Sequence, residues 1–379
     1  METSSVALPP VEADRATLFV ALELSKSTWL VAVHSPGADK IGQHRLGGGD
    51  VAGLLALLER KREQAEATLG RAVRVVSCYE AGYDGFWLHR YLCARGIDNR
   101  VLDAASILVD RRSRRAKTDR LDAAGLLRTL MALERGESRV CRVVRVPSVE
   151  QEDQRRRSRE RARLVVERGS HASRVKGLLM TQGVRDFEPT RRDWRERLEA
   201  LRTPEGRAIP PLLEAEIVRE CRRLHLVCAM IAEVEAEQRE ASDATARCAA
   251  RLMQLRGIGP TIAAVLAGEV FFRDFRNRRE VAAYLGLCSS PWQSGSTRRD
   301  QGIAKAGNPR ARRIAVELAW LWLRHQPESA LARWYRDRVG TGAGRIRRIT
   351  IVALARHLAV ALWRYLGDGL VPDGAVVKG

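Results

Sequence analysis

The first third of the chain alternates short apolar runs with amphipathic segments. The apolar runs predict strands, and segments with apolar residues every three or four positions predict helices. The predicted strands cover residues 18–23, 28–33, 40–46, 73–78 and 99–102. Predicted helices cover residues 50–67, where Asp50 can cap the first turn, and 84–95, and a third begins near residue 117. Three consecutive strands can form an antiparallel meander, to which the later strands add through right-handed crossovers, so an α/β unit is predicted.

This order of elements is the ribonuclease H-like, or RuvC-like, arrangement, in which the ends of the first and fourth strands lie side by side. Glu23 ends the first predicted strand and Glu80 follows the fourth. Asp119 and Asp122 share one face at the start of the next helix, because they are three residues apart. The four carboxylates would converge and could hold hard cations such as Mg²⁺. Taken singly, each glutamate also fits a surface acid, and the aspartate pair also fits a helix start that complements the helix dipole.

A basic run surrounds the aspartate pair. Arg114, Arg115 and Lys117 precede it directly. Cations at these positions would hold a polyanion against the acids, so this run is a predicted nucleic-acid contact.

The middle of the chain is predicted to be long charged helices. They cover about residues 147–184 and 211–256, and residues 187–210 between them form a loop or small subdomain. Two such helices predict an antiparallel coiled coil or a dimerisation arm. The arginine-rich stretch at 152–163 fits a solvated helix face as well as a nucleic-acid contact. The predicted organisation is a disordered lead at 1–16, the acidic domain at 17–146, the helical region at 147–250, a mostly helical C-terminal domain at 251–370 and a tail at 371–379.

The C-terminal domain opens on a Gly-Ile-Gly turn. Gly257 and Gly259 lead into a helix of small residues, which resembles a helix-hairpin-helix, where backbone N–H groups hold a DNA phosphate. An ordinary connection between two helices also fits this turn. The four tryptophans further on fit a helical core better than base-stacking platforms, and they are Trp320, Trp322, Trp334 and Trp363.

A serine stands before a glycine in a turn-rich loop downstream. Ser294 is followed by several fixed cations, which are predicted nucleic-acid contacts: Arg298, Arg299, Lys305 and Arg310. Such cations can stabilise charge on a phosphoryl group that is being transferred. A Ser-Gly pair taken alone also fits a plain turn.

The residue composition of the chain indicates which kind of molecule it binds. The chain of 379 residues carries a formal net charge of +20, which favours a nucleic acid. Seven cysteines without a Cys-x-x-Cys pair indicate neither a zinc site nor a disulfide framework. The N-terminus does not resemble a signal peptide, and the apolar stretch at 349–366 is interrupted by Arg356, His357 and Arg364, so no membrane span is predicted. We therefore expect a cytoplasmic, nucleoid-associated bacterial protein.

The combination of motifs resembles one family. The matching segments are residues 21–26, 80–82, 117–122, 257–260, 284–287, 294–295, 305–308 and 353–356. They occur in the order found in insertion-sequence transposases that pair an N-terminal RuvC-like domain with a C-terminal serine-bearing domain, called bridge-RNA-guided recombinases. The resemblance covers nearly the whole chain.

The resemblance implies specific roles. Glu23, Glu80, Asp119 and Asp122 would form an acidic tetrad that holds Mg²⁺, and Ser294 would attack the DNA backbone to form a phosphoserine link. A structured guide RNA would direct the joining of element ends and target DNA, and the protein would act as a homo-oligomer in which the acids of one subunit meet the serine of another. The family normally has Asp where this chain has Glu23, which puts catalytic competence in doubt, since Mg²⁺ geometry is strict.

Two other functions fit the same residues. A metal-dependent nuclease resembling a Holliday-junction resolvase would use water as its nucleophile. A catalytically degenerate relative would bind nucleic acid without cutting it.

Overall fold

The chain forms two compact units, of which the first ends at Pro147 and the second begins at Ser148. The computed structural model describes residues 16–107, 119–137, 139–294, 297–342 and 344–378, and the side chains of residues 105, 119, 294 and 298–300 lie outside that description. The predicted lead at 1–16 lies outside it apart from residue 16. The basic run with Arg114, Arg115 and Lys117 lies outside it entirely.

The described part of the first unit contains a five-stranded sheet and three α-helices. Their bounds are β1 Ala16–Leu24, β2 Thr28–His34, β3 Gly42–Gly47, α1 Val51–Leu69, β4 Val73–Glu80, α2 Trp87–Cys93, β5 Asp98–Leu102 and α3 Asp119–Glu134. All five predicted strands are confirmed, with ends shifted by one or two residues. Helix α2 begins later than predicted because Gly85 has a left-handed φ of +64°, which a continuous helix cannot include.

The sheet has the strand order β3-β2-β1-β4-β5. Strands β1, β2 and β3 pair antiparallel, whereas β4 pairs parallel with both β1 and β5. The predicted meander and the predicted neighbourhood of the first and fourth strands are therefore confirmed. Strand β1 lies at the centre, so both of its faces are covered, and its sequence is a nearly continuous apolar run.

The two faces of the sheet have separate cores. On one face, even-numbered residues of β1 such as Leu18, Val20 and Leu22 pack with α1 and α2. On the other face, Ala21 and Cys78 pack against α3. Since side chains alternate along a strand, this division fixes the face of every residue in β1 and β4.

Helix α1 is bounded as its sequence predicts. The Asp50 Oδ1 atom accepts a hydrogen bond from the Gly53 N–H at 2.8 Å, which confirms the predicted cap. The helix ends at Gly70, whose left-handed φ of +64° suits glycine.

The described part of the second unit contains nine α-helices and a two-stranded hairpin. Their bounds are α4 Val149–Met180, α5 Trp194–Ala200, α6 Pro211–Glu240, α7 Ala244–Met253, α8 Pro260–Glu269, α9 Arg278–Tyr284, β6 Ser289–Ser294, β7 Thr297–Ile303, α10 Pro309–His325, α11 Ala330–Val339 and α12 Arg345–Asp368.

Helices α4 and α6 form an antiparallel pair. Near the end of α4, Val175 and Leu179 pack in one cluster with Ile217 and Cys221 from the start of α6. Leu164, earlier in α4, packs with Val227, Ile231 and Val234, which lie later in α6. The predicted antiparallel helices are confirmed, while a coiled coil and a role in dimerisation stay predictions. Helix α6 ends before the predicted end at Arg256, because Ala241 is extended and Asp243 caps α7 as a new helix.

The segment between α4 and α6 is a small subdomain. Its Phe187, Trp194, Leu198 and Ile209 are all buried in the cluster that joins the ends of the two long helices. Of the two readings of residues 187–210 that the sequence left open, the structure shows the subdomain.

Helices α7 to α12 share one apolar core. Trp322 is fully buried in it, whereas Trp320 is 43% exposed, so the expected core role holds for Trp322 most clearly. Among the described helices, α12 alone is long and apolar enough to span a membrane. Its Leu354, Leu358 and Leu362 are buried in the core, as expected of an internal helix.

The C-terminal segment packs on the second unit. Val377 forms a β-bridge with Leu255, and the Arg256 N–H donates to the Val376 carbonyl at 3.0 Å. Residues 371–378, predicted as a tail, therefore bind beside the Gly-Ile-Gly turn.

Candidate functional site

Two of the predicted acids stand at the ends of neighbouring parallel strands. Leu22 of β1 pairs with Tyr79 of β4, so Glu23 and Glu80 are the next residue of each strand. Each lies two positions beyond a residue that packs against α3, and alternation puts both glutamates on that face. Glu23 is half-buried and Glu80 is exposed. The structure thus brings these two predicted residues together.

Helix α3 carries the other two acids over this face. Its buried stripe is Ala123, Leu126, Leu127 and Leu130. Asp122 lies one turn before Leu126 and is half-buried. Asp119 is the first residue of α3, and its side chain lies outside the described part. The start of α3 therefore places the two aspartate positions on the helix face that packs against the sheet.

Hydrogen bonds fix the start of α3 against β3. The Gln43 Nε2 atom donates to the Arg120 carbonyl at 3.0 Å, and the Arg120 Nε atom donates to Gln43 Oε1 at 2.7 Å. No local pattern in the sequence predicts this pair, because Gln43 and Arg120 lie far apart in the chain. These two bonds orient the helix turn that bears the aspartates.

A further carboxylate lies at the same edge of the sheet. Leu102 of β5 pairs with Glu80, and Asp103 follows it directly. The signal was present in the sequence, since an acid directly after an apolar strand is the pattern that identified Glu23 and Glu80. Leu102 packs on the α3 face, so alternation along β5 directs Asp103 to the opposite face, and Asp103 shares the edge but not the face of the predicted acids.

The donor chemistry of this edge suits a hard cation. Carboxylate oxygens are the ligands that Mg²⁺ takes in proteins. Among the side chains that the structure describes, no three His, Cys, Asp or Glu are gathered as a metal-ligand group. Asp119, the fourth acid, is outside that set. The acids thus suit Mg²⁺ by the chemistry of their oxygens, although the described side chains of Glu23, Glu80 and Asp122 are not gathered as a metal-ligand group, and Mg²⁺ binding stays a prediction.

The residue that precedes Glu80 on the same face of β4 is a buried thiol. Cys78 lies two residues before Glu80, beneath α3, and burial raises the pKa of its thiol. The thiol therefore stays neutral and acts as a small apolar side chain.

The predicted serine stands on a hairpin and not in an irregular loop. Strands β6 and β7 pair antiparallel, and Ser294 pairs with Thr297 at the turn. In the same register Arg298 pairs with Gln293 and Arg299 with Trp292, so the backbone places both arginines beside the end of β6. The side chains of Ser294, Arg298 and Arg299 lie outside the described part. The structure thus brings the predicted serine and two predicted cations onto one hairpin.

The base of the hairpin is tightly held. The Ala304 N–H donates to the Cys288 carbonyl at 2.8 Å, and the Lys305 N–H donates to the Gly286 carbonyl at 3.2 Å. Lys305 itself is exposed and has a left-handed φ of +56°. A cation at this predicted contact position is accessible to an anion, and its backbone strain indicates that the surrounding turn determines its conformation.

Arg310 occupies a different environment from the one predicted. It is half-buried at the start of α10, where it donates a hydrogen bond to the Ser158 carbonyl of α4. Its Nε atom lies 4.0 Å from a carboxylate oxygen of buried Glu269. Arg310 is therefore engaged within the protein, and it contributes less to an exposed basic surface than its position in the sequence indicates.

The Gly-Ile-Gly turn connects α7 to α8. Gly257 has a left-handed φ of +91°, and a Cβ atom there would lie 2.8 Å from the Cβ of His325. Gly259 caps α8, and the Lys378 Nζ atom lies 3.3 Å from the Ile258 carbonyl. The geometry is that of a tight turn into a helix N-terminus, with a lysine beside it.

The glycine at the hairpin base permits a test by substitution. A Cβ atom at Gly286, where φ is +64°, would lie 2.0 Å from the Ala306 carbonyl oxygen. We expect Gly286→Ala to lower the free energy of unfolding by more than about 2 kcal/mol, since the left-handed backbone alone costs about 1–2 kcal/mol and the overlap adds to it. Denaturant unfolding measures the change.

Gly302 is the matched control on the same hairpin. Its φ is +87°, but a Cβ atom there would meet nothing within 4 Å. Gly302→Ala should therefore show the backbone cost without the overlap. Equal losses of stability in the two variants would contradict the close packing of the hairpin base.

The chain is similar to proteins described as transposases. A family model described as "Transposase IS116/IS110/IS902 family" matches residues 249–334, which include α8, the hairpin and α10. The protein named "Putative transposase y4rJ" of Sinorhizobium fredii is 49% identical over 382 residues, covering 97% of this chain and 96% of the relative. The "Transposase for insertion sequence element IS1328" of Yersinia enterocolitica is 27% identical over 173 residues, covering 44% and 50%.

Proposed function

Because the chain belongs to the IS116/IS110/IS902 family of transposases, we propose that it cuts and rejoins the DNA of an insertion sequence with Ser294 as its nucleophile. Glu23, Glu80, Asp119 and Asp122 hold Mg²⁺, and a structured RNA directs the reaction to its target. The protein acts as a homo-oligomer on DNA in the cytoplasm. The observation that carries the proposal is the placement of Glu23 and Glu80 at adjacent strand ends, on the face covered by the aspartate-bearing helix.

The sheet supports the acidic part of this proposal. Its order β3-β2-β1-β4-β5, with an antiparallel first half and a parallel second half, is the one expected of a RuvC-like domain. In that arrangement the ends of β1 and β4 form the acidic edge. Mg²⁺ bound there would supply positive charge that stabilises a phosphoryl group during transfer.

The hairpin supports the nucleophilic part. In the proposed step the Ser294 oxygen bonds to the phosphorus and the bond from phosphorus to a deoxyribose oxygen breaks. The serine proton passes to water, and the departing sugar oxygen takes a proton from water to become a hydroxyl. In the joining step a sugar hydroxyl of another strand attacks the phosphoserine and releases Ser294. Arg298 and Arg299 on β7 stabilise the charge on the phosphoryl oxygens.

The direct test is to incubate the protein with element-end DNA, the RNA encoded beside its gene and Mg²⁺, and to denature the mixture. A DNA–protein adduct that survives denaturation supports the proposal. Free DNA ends without an adduct would instead indicate the resolvase-like nuclease, in which water attacks. Binding without any cleavage would indicate a catalytically degenerate relative.

DNA affinity is expected to depend strongly on salt. A protein with a net charge of +20 neutralises DNA phosphates when it binds, and the counterions held by those phosphates are released. If about six phosphates are neutralised, the association constant should fall by about a thousandfold between roughly 50 and 200 mM salt. A titration in a fluorescence-anisotropy assay measures this slope. Affinity unchanged across that range would contradict an electrostatic mode of binding.

A further inference from the structure

A buried carboxylate lies at the C-terminal end of α8. Glu269 is 1% exposed. A charged acid is unfavourable there both because it is desolvated and because the helix dipole is negative at this end. Burial would raise the pKa of Glu269, but the hydrogen bonds and charge of Arg159, the hydrogen bond of Asn308 and the charge of Arg155 outweigh burial and hold the pKa below its ordinary value. Glu269 is therefore an anion inside the second unit.

Three guanidinium groups share this one carboxylate. Arg159 of α4 binds it with two parallel hydrogen bonds, from Nε to Oε1 at 2.7 Å and from Nη2 to Oε2 at 3.0 Å. Arg310 approaches it to 4.0 Å. The Arg155 guanidinium carbon lies 3.8 Å from the centroid of the Phe272 ring, and within the described part of the chain its buried Nε and Nη2 atoms have no hydrogen-bond partner. Glu269 thus supplies counter-charge for the buried Arg155, the half-buried Arg310 and the exposed Arg159.

Asn308 connects this carboxylate to the hairpin base. Its Nδ2 atom donates to Glu269 Oε2 at 3.0 Å and contacts the Tyr284 hydroxyl at 3.3 Å. Its N–H donates to the Tyr284 carbonyl at 2.9 Å. Its Oδ1 atom accepts from the Arg310 and Ala311 N–H groups and caps α10. One side chain therefore ties the ends of α8 and α9 to the start of α10.

The β6–β7 hairpin begins and ends at this junction. Strand β6 follows α9 through Gly286, and β7 returns to α10 through Lys305 and Gly307. The Arg312 Nη1 atom donates to the carbonyls of Leu285 and Lys305, one on each side of the hairpin base. A Cβ atom at Gly307 would lie 2.2 Å from the Tyr284 carbonyl oxygen, so the two sides are in close contact.

We propose that Glu269 and Asn308 are positioning residues that fix the base of the β6–β7 hairpin to α4 through Arg159. The proposal rests on the proposed function in one respect, since it assumes that the hairpin presents Ser294 to DNA. Through the bidentate Arg159–Glu269 pair, the long helix α4 is connected to the hairpin base. The direction in which the hairpin projects is set by this buried junction.

Replacing Asn308 with serine separates its two tasks. Serine caps helices about as well as asparagine, so α10 keeps its cap. Serine cannot reproduce the amide that donates to Glu269 and contacts Tyr284. The matched control is Asn277→Ser, because Asn277 caps α9 through the Arg279 and Glu280 N–H groups, and its side chain has no described bond to a buried carboxylate.

Replacing Arg159 with lysine tests the link to α4 independently. Lysine keeps the charge but loses the planar fork that makes two parallel hydrogen bonds. The matched control is Arg161→Lys, since Arg161 lies on the same helix and pairs with Glu235 on α6. Arg159 is 53% exposed, so the lysine variant is expected to fold.

Hydrogen exchange of the full DNA-free chain provides the measurement. In Asn308→Ser and Arg159→Lys, we expect peptides spanning residues 284–307 to exchange about tenfold faster or more, since each change removes a hydrogen bond to a charged group. The peptides of α11 and α12 should be unchanged, as should every peptide in the two controls. Hairpin exchange within about twofold of the wild type in both variants, or an equal increase throughout the second unit, would overturn the proposal.

Adduct formation provides a second readout. At saturating DNA, both variants should form the covalent adduct at least about tenfold more slowly with unchanged DNA affinity, because a misplaced nucleophile loses rate and not binding. A loss of affinity equal to the loss of rate would contradict positioning. If the wild-type protein forms no adduct at all, the proposed function fails, while the exchange experiment still decides whether Glu269 and Asn308 anchor the hairpin.

Discussion

Ser294→Ala is expected to abolish the covalent DNA–protein adduct while leaving DNA affinity unchanged. Alanine has no oxygen that can bond to phosphorus, and water that replaces it would give free ends and not an adduct. Ser294 is the last residue of β6, where it pairs with Thr297 at the hairpin turn, so loss of its hydroxyl leaves the strand pairing intact. Denaturing gel electrophoresis with labelled DNA, together with a binding assay, measures both quantities.

Ser289→Ala is the matched control for this variant. Ser289 is the first residue of the same strand and is exposed. The two changes remove the same group from opposite ends of one strand. An adduct in Ser294→Ala, or its equal loss in Ser289→Ala, would contradict the role of Ser294 as the nucleophile.

Glu80→Gln is expected to slow adduct formation by about a hundredfold or more, because it removes one anionic ligand without changing side-chain size. Glu80 stands at the end of β4 beside Glu23, so the loss of charge is confined to the acidic edge. The variant should require a higher Mg²⁺ concentration than the wild type to reach its own maximal rate. A chelator should stop the wild-type reaction. Single-turnover rates measured over a range of Mg²⁺ concentrations test both statements.

Glu59→Gln is the control in the same unit. Glu59 lies on α1, where it pairs with Arg62 on the surface, and its loss should leave the rate unchanged. A Glu80→Gln protein with the wild-type rate and the wild-type Mg²⁺ dependence would exclude a metal-binding role for that residue.

Glu23 permits a separate comparison at the acidic edge. Aspartate at this position would shorten the side chain by one methylene and restore the residue that the family normally has. Glu23→Asp should therefore retain adduct formation, whereas Glu23→Gln should lose it as Glu80→Gln does. If the wild-type protein is inactive and Glu23→Asp is active, Glu23 marks a degenerate copy.

The acidic edge was predictable because its signals are local. Glu23 and Glu80 each follow an apolar strand, and parallel strands bring such ends together at one edge. Asp103 carries the same signal after β5, but the register of that strand directs it to the opposite face of the sheet. The bonds between Gln43 and Arg120 carry no local signal, since they join residues that only the folded sheet brings together.

The serine region was predicted less well. Its Gly, Pro and Ser content indicates turns, but the structure has paired strands there, because the backbone bonds of β6 are made by β7. Arg310 is a cation in a basic segment, and only the folded structure shows that it donates to the Ser158 carbonyl of α4. The presence of a charged residue in a sequence does not indicate whether its side chain is exposed in the folded protein.

From the sequence alone follow the order of strands and helices in the first unit, the acids at the ends of β1 and β4, and the excess of positive charge. Each of these follows from local pattern or composition, which needs no knowledge of distant contacts. That Glu269, a lone acid at the end of an apolar helix, joins Arg159 and Asn308 at the base of the serine hairpin is evident only in the folded chain. That junction collects α4, α8, α9 and α10, and hydrogen bonds between segments so distant in the chain exist only when the chain is folded.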